Sequence, residues 1–272
     1  MPDLDRVVPL RTGGTLEPLF CVHAVSGSAY SYAGLTRLLG PDQPVYGFEA
    51  PGFDNDRAPV ASLPVLADEY TETLRAFQPS DGYRLLGWSL GGLLVFEMAK
   101  RLVADGAKVS SLILVDAGMP SVLPLPPERE VLLRYLRDMM GSSDETPHVL
   151  SELADRWPSE VTPKVAFEAV EQAGVFPEEM DAELLAQQYE VFRAHLSAYY
   201  SIELGGRYDG PAVHILASAS PAEEMRWQRL CPNLTEYTVA GTHHSMWTGD
   251  SLTTLAGLVR QSLTTGWRRA AP

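Results

Sequence analysis

Cysteine is nearly absent from this sequence, with Cys21 and Cys231 alone among 272 residues. Two such distant thiols make no disulfide framework, and no Cys or His pair stands at zinc-finger spacing. Cys21 lies in the apolar run Leu19-Phe20-Cys21-Val22 and reads as a small buried hydrophobe. Long hydrophobic runs are also missing, so no segment qualifies as a membrane span. The first residues carry Asp3, Asp5 and Arg6 with no apolar stretch behind them, which argues against a secretory signal. Positive charge is scarce: 21 Lys and Arg face 35 Asp and Glu, for a net charge of −14. With no basic tract, this balance disfavours nucleic acid and anionic membranes as partners. There is no internal repeat and no low-complexity tract. The expectation is a soluble, cytoplasmic chain with no bound metal or cofactor.

What is present is a regular alternation of short apolar runs and helical patterns. Apolar residues make up 45% of the chain, ample for one large core. Strands are expected over residues 6–11, 18–23, 45–48, 83–86 and 111–115, with helices over 32–39, 64–77 and 93–104 between them. This order implies an α/β domain with a mostly parallel central sheet and helices on both faces. The alternation then stops. Between residues 120 and 206 only helices are expected, near 127–140, 161–173 and 182–200, punctuated by prolines. Strands return at 212–217 and 235–239, and a last helix at 252–263. The chain therefore divides into a core, residues 1–119 and 207–272, and a helical insertion, residues 120–206. An insertion there would sit over the strand ends, where α/β sheets bind ligands, and is expected to act as a lid.

One run concentrates the chemistry: Gly87-Trp88-Ser89-Leu90-Gly91-Gly92, after the expected strand Tyr83-Arg84-Leu85-Leu86 and before a strong helix former. Strand, tight turn with Gly on both sides of a Ser, then helix is the context of a nucleophile elbow. A Cβ at Gly87 or Gly91 would crowd the turn. A serine needs a base to take its proton, and the base needs a carboxylate to orient it. The acid belongs just past a strand end. Leu112-Ile113-Leu114-Val115 runs straight into Asp116, whereas the strand at 212–217 is followed by no acid before Glu223. Asp116 is therefore the candidate acid. The base belongs in the loop after the last strand, where Gly241-Thr242-His243-His244 stands. Both His243 and His244 fit by position, and the family resemblance given below favours His243. His148 and His195 lie in the insertion, His214 inside a strand, and His23 before the nucleophile. For the oxyanion, one donor is expected from the amide of Leu90 and a second from the loop after the strand at 18–23: Val25, or else Ala24.

At these residues the chain resembles the thioesterase domains of nonribosomal peptide synthetases, and the related polyketide synthase thioesterases. The matching segments are Pro18-Leu19-Phe20-Cys21-Val22-His23, Gly27-Ser28 with Tyr32, Val45-Tyr46-Gly47-Phe48-Glu49-Ala50-Pro51-Gly52, the run from Tyr83 to Gly92, Asp116, and Gly241-Thr242-His243 with Met246. Trp88 before the nucleophile is more similar to the peptide synthetase domains. Ala24 stands where many relatives have Pro. The insertion matches in placement only. The resemblance implies an α/β-hydrolase fold with a helical lid and a Ser89–Asp116–His243 triad. It also implies a carrier-protein partner that delivers a peptidyl or acyl chain as a phosphopantetheine thioester. An acyl-enzyme on Ser89 would be released by water as an acid, or by an internal nucleophile as a macrocycle. The large insertion and the peptide-synthetase likeness favour cyclisation.

Three rivals stay open: a free-standing editing thioesterase that clears misloaded carriers, a general esterase, and a dead hydrolase fold used for binding. No His-Gly-Gly-Gly run occupies residues 23–26, which counts against the esterase. Carrier proteins are usually acidic, as is this chain, so a covalent tether would be needed to raise the effective concentration to roughly millimolar. That favours a domain excised from a multidomain synthetase.

Overall fold

The computed structural model describes residues 3–79, 82–141, 147–221 and 225–264. Among them are seven strands: β1 (Val7–Arg11), β2 (Leu19–Val22), β3 (Val45–Phe48), β4 (Gly82–Trp88), β5 (Lys108–Val115), β6 (Ala212–Ala217) and β7 (Leu234–Val239). They form one sheet in the order β1-β3-β2-β4-β5-β6-β7. Edge strand β1 pairs antiparallel with β3, and the other pairings are parallel. Parallel strands buried on both faces read as continuous apolar runs. Accordingly, all four residues of β2 are buried, and alternate ones go to opposite faces. Phe20 and Val22 join Leu85, Leu112 and Leu114 under helices α2 (Leu63–Phe77) and α3 (Leu90–Ala104); α1 is Ala33–Leu38. Leu19 and Cys21 join Leu86, Ile113 and Val115 on the other face, against Leu35 of α1 and against Leu255 and Val259 of the last helix.

Between β5 and β6 stand α4 (Glu128–Met139), α5 (His148–Asp155), α6 (Pro163–Gln172) and α7 (Ala182–Ser201); the C-terminal helix is α8 (Gly249–Thr264). The four helices of this insertion share a core of their own. Tyr135, Phe167 and Tyr189 meet edge to face with ring centroids 5.5–5.7 Å apart, with Leu132, Leu136 and Phe192 around them. Such aromatic arrangements add to the gain from burial alone. Helix starts are fixed locally. Asp181 accepts the Leu184 amide at 2.8 Å, and Thr162 accepts the Val165 amide ahead of Pro163. No helix among the described residues is long and apolar enough to cross a membrane.

The structure departs from the sequence reading at four elements, the simplest being α8, which begins at Gly249 rather than residue 252. Helix α5 was not expected: it spans only eight residues and fully buries only Leu150 and Ala154, too little for a periodic signal. Helix α3 begins at Leu90 rather than Leu93, because Gly91 and Gly92 mask the helical pattern of its first turn. Strand β5 begins at Lys108 rather than Ser111, where serines and charge hide a paired segment. Of the aromatics in the insertion, Trp157, Phe167, Tyr189 and Phe192 are buried in its core.

Phe167→Ala is expected to destabilise the protein by about 3–5 kcal/mol, the range for a deleted buried phenylalanine. Urea titration of the variant against the wild type measures it.

Candidate active site

Strand β4 hands over to α3 through a single strained residue. Ser89 has φ 55° and ψ −122°, outside the regions ordinary side chains favour. The strain is held because the surrounding backbone packs closer than any side chain permits. A Cβ on Gly87 would lie 2.0 Å from the Gly91 carbonyl oxygen, and one on Gly91 would lie 2.3 Å from that of Val22. The Trp88 amide donates to the Tyr32 hydroxyl at 2.9 Å, and that hydroxyl donates to the Val22 carbonyl. The turn is thereby tied to the end of β2.

Asp116 leaves β5 with φ 42°, another unusual backbone value. Its amide donates to the Ile215 carbonyl at 2.8 Å, which fixes the turn against β6. The carboxylate is 1% exposed. It accepts from the Ala217 amide at 2.8 Å, the Ser220 hydroxyl at 2.8 Å and His243 Nδ1 at 2.7 Å. Burial pushes its pKa up, but His243, the Ala217 amide and Ser220 together outweigh burial and hold it below the usual carboxylate value. A carboxylate can only accept, so His243 Nδ1 carries a proton, and the neutral ring keeps its lone pair on Nε2. The Trp88 ring braces that imidazole at a centroid distance of 5.0 Å.

Ser89, Asp116 and His243 line one cavity of about 450 Å³, together with Arg134, Tyr199, Ser220, Met225 and Thr242. The doubled histidine separates cleanly. His244 turns to α4, where its Nε2 lies 3.0 Å from Asp138 Oδ1. His23, His195 and His214 are fully buried, and His148 is exposed on α5. Glu223 lies outside the described residues. Leu90 opens α3, so its amide is one of the donors a helix start leaves free. Val25 lines a second space of about 370 Å³ with Arg134, His243 and His244, while Ala24 is buried. A third, more apolar cavity of about 660 Å³ lies between Trp88, Trp247 and His244 on one side and Met139, Met180 and Leu184 of the insertion on the other.

Sequence reasoning missed several neighbours. Ser220 stands in a loop with no acid to mark it, yet it donates to Asp116. Arg134 faces the serine's cavity from the insertion, donating to the Tyr200 hydroxyl at 2.5 Å and Glu130 at 2.6 Å. Nothing in its local sequence sets it apart from the other arginines of α4. Asp138 was unassigned for the same reason.

Asp116→Asn is expected to lower stability by about 1–3 kcal/mol at neutral pH by weakening a buried, charge-assisted hydrogen-bond set. The folded carboxyl has the lower pKa, so its contribution is complete above the unfolded value of about 3.9 and is lost as pH falls through the folded value. Urea titrations from pH 7 downward should therefore show the gap between variant and wild type narrowing below about pH 4.

The thioesterase domain family profile matches residues 17–263. A dimodular nonribosomal peptide synthase of Bacillus subtilis (strain 168) is 41% identical over 136 residues, covering 49% of this chain and 6% of that protein. The match spans only a small part of that synthase and of other large synthetases among the relatives. Among solved structures, the four-domain nonribosomal peptide synthetase AB3403 superposes with a TM-score of 0.80 at 23% identity, over 94% of this chain and 20% of that one. SrfTE, a thioesterase domain described as cyclising the lipopeptide antibiotic surfactin, superposes with a TM-score of 0.62 at 20% identity, over 97% and 98% of the two chains.

Proposed function

The chain belongs to the thioesterase domain family, and from that premise we propose that it releases a peptidyl or acyl chain from a carrier-protein thioester through an ester on Ser89. One observation carries the reading: the His243–Asp116 hydrogen bond of 2.7 Å stands on the same cavity as a serine held in a strained strand-to-helix turn. In the proposed mechanism Ser89 Oγ attacks the thioester carbonyl and His243 Nε2 takes its proton. Asp116 keeps the ring in the right tautomer and stabilises the imidazolium. The amides of Leu90 and Val25 receive the negative charge that develops on the carbonyl oxygen. When the tetrahedral intermediate collapses, the pantetheine sulfur leaves and takes the proton from His243. A second nucleophile then gives its proton to the same nitrogen and bonds to the acyl carbon, and Ser89 Oγ leaves, taking that proton back from His243.

The four-helix insertion covers this site as a lid in the proposed reading. The 660 Å³ cavity has apolar walls from both the lid and the core, and gives a long chain room to fold back. A lid that excluded water there would favour an internal hydroxyl or amine over hydrolysis. The likeness to SrfTE, described as a cyclising domain, supports the same choice. The carrier partner is a neighbouring domain of one synthetase, as the large synthetases among the relatives suggest.

Ser89→Ala is expected to abolish labelling by a fluorophosphonate, with the label on the wild type mapping to the peptide containing Ser89. His243→Ala should stop turnover and Asp116→Asn should lower it by about 10⁴-fold, whereas His244→Ala should be mild. Equal loss at both histidines, or label on another residue, overturns the assignment. A peptidyl thioester mimic bearing an internal nucleophile should give macrocycle as the main product; linear acid alone rules out cyclisation.

A further inference from the structure

The loop after β2 is held by two histidines that the mechanism above does not use. His23, at the end of that strand, directs Nδ1 to the Ala24 carbonyl at 2.8 Å and Nε2 to the Tyr70 hydroxyl at 2.6 Å. His195, on the lid helix α7, directs Nδ1 to the Val25 carbonyl at 2.8 Å. The two rings stack, with centroids 4.8 Å apart and planes 9° from parallel, and both side chains are fully buried. Carbonyls accept only, so both Nδ1 atoms carry protons. Burial lowers both pKa values, that of His195 to about 4, so both rings are neutral at physiological pH. Tyr70 therefore donates to His23 Nε2, while His195 Nε2 is buried without a partner among the described residues. An unpaired buried nitrogen costs free energy, which the bond to Val25 and the ring stack must offset.

The consequence lies in the peptide planes. In a trans peptide the carbonyl and the following amide point in opposite directions. Turning the Ala24 and Val25 carbonyls toward the histidine stack turns the amides of Val25 and Ser26 away from it. Neither amide has a protein hydrogen-bond partner among the described residues. The adjoining end of β2 touches the serine turn, because the Val22 and His23 carbonyls are what a Cβ on Gly91 would strike.

We propose that His195 is a positioning residue that acts from the lid. It holds the peptide after Val25 directly and, through the stack on His23, the peptide before it, and so aims the Val25 amide at the tetrahedral intermediate. The oxyanion site is then assembled by the lid as well as by the core, and displacing α7 disarms it. This rests on the function proposed above.

The test uses octanoyl-N-acetylcysteamine turnover and the rate of Ser89 labelling by a fluorophosphonate. His195→Phe keeps the ring and the stack but loses the donor. His195→Asn keeps a donor near the place of Nδ1. His195→Phe is expected to lower kcat and the labelling rate about 10–100-fold with KM unchanged, less than the full loss of one donor. His195→Asn should recover most of both rates, and thermal melting shows that both variants fold. A folded His195→Phe variant as fast as wild type overturns the inference, and so does an equal deficit in the two variants. Wild-type protein that labels at Ser89 but leaves the thioester untouched overturns the parent function alone, since the labelling arm still reads the positioning. Wild type inert to both reagents overturns both.

Discussion

The architecture turns on one close backbone approach, that of the β4–α3 turn to the end of β2. Residues 87, 91 and 92 are glycines because neighbouring main chain or Ala117 occupies the space where a Cβ would go. That packing keeps Ser89 at φ 55°, a conformation costing about 1–3 kcal/mol if left to itself. The surrounding sheet over-determines the turn: Ser89 donates its amide to Val115 on β5, and Trp88 donates to Tyr32. Without the approach, the hydroxyl would not stand free at the carboxyl edge of the sheet.

The same edge gathers the rest of the chemistry. Strands β4, β5, β6 and β7 are neighbours and parallel, so their C-terminal loops all open on one side. Residues far apart in sequence, Ser89, Asp116, Ser220 and His243, thereby share one cavity. Asp116 is the hub of that arrangement. It joins β5 to the loops after β6 and β7 through bonds to Ala217, Ser220 and His243. Its charge is tolerated in the interior because its oxygens meet donors rather than apolar surface.

The helical insertion is a second packed body resting on this edge. Its core of Tyr135, Phe167 and Tyr189 is separate from the two clusters that flank the sheet. It reaches the site through polar side chains at defined points: Arg134 in the serine's cavity, Asp138 on His244, and His195 on Val25. The last two are hydrogen bonds between insertion and core, which movement of the helices would break. The insertion and the sheet edge that carries Ser89, Asp116 and His243 are therefore joined by hydrogen bonds as well as by shape.

The sequence by itself marked the strands of a mostly parallel sheet, the serine turn, and Asp116 and the His243-His244 pair as candidates for the site. Apolar runs, helical periodicity and glycine spacing are local signals. Ser89 and Asp116 each follow directly on a strand, and His243 stands in the loop after the last one, places such signals locate. The short helix α5 and the first turn of α3 escaped notice because few residues, or glycines, carried them. Only the tertiary structure divided the roles of His243 and His244, brought Ser220 to Asp116, and set His195 against the loop at Val25. Those contacts join residues from 104 to 170 positions apart, with nothing in the neighbouring sequence to mark the partner. Packing of one buried element on another decides them, and periodicity along a single element cannot encode which distant face it will meet.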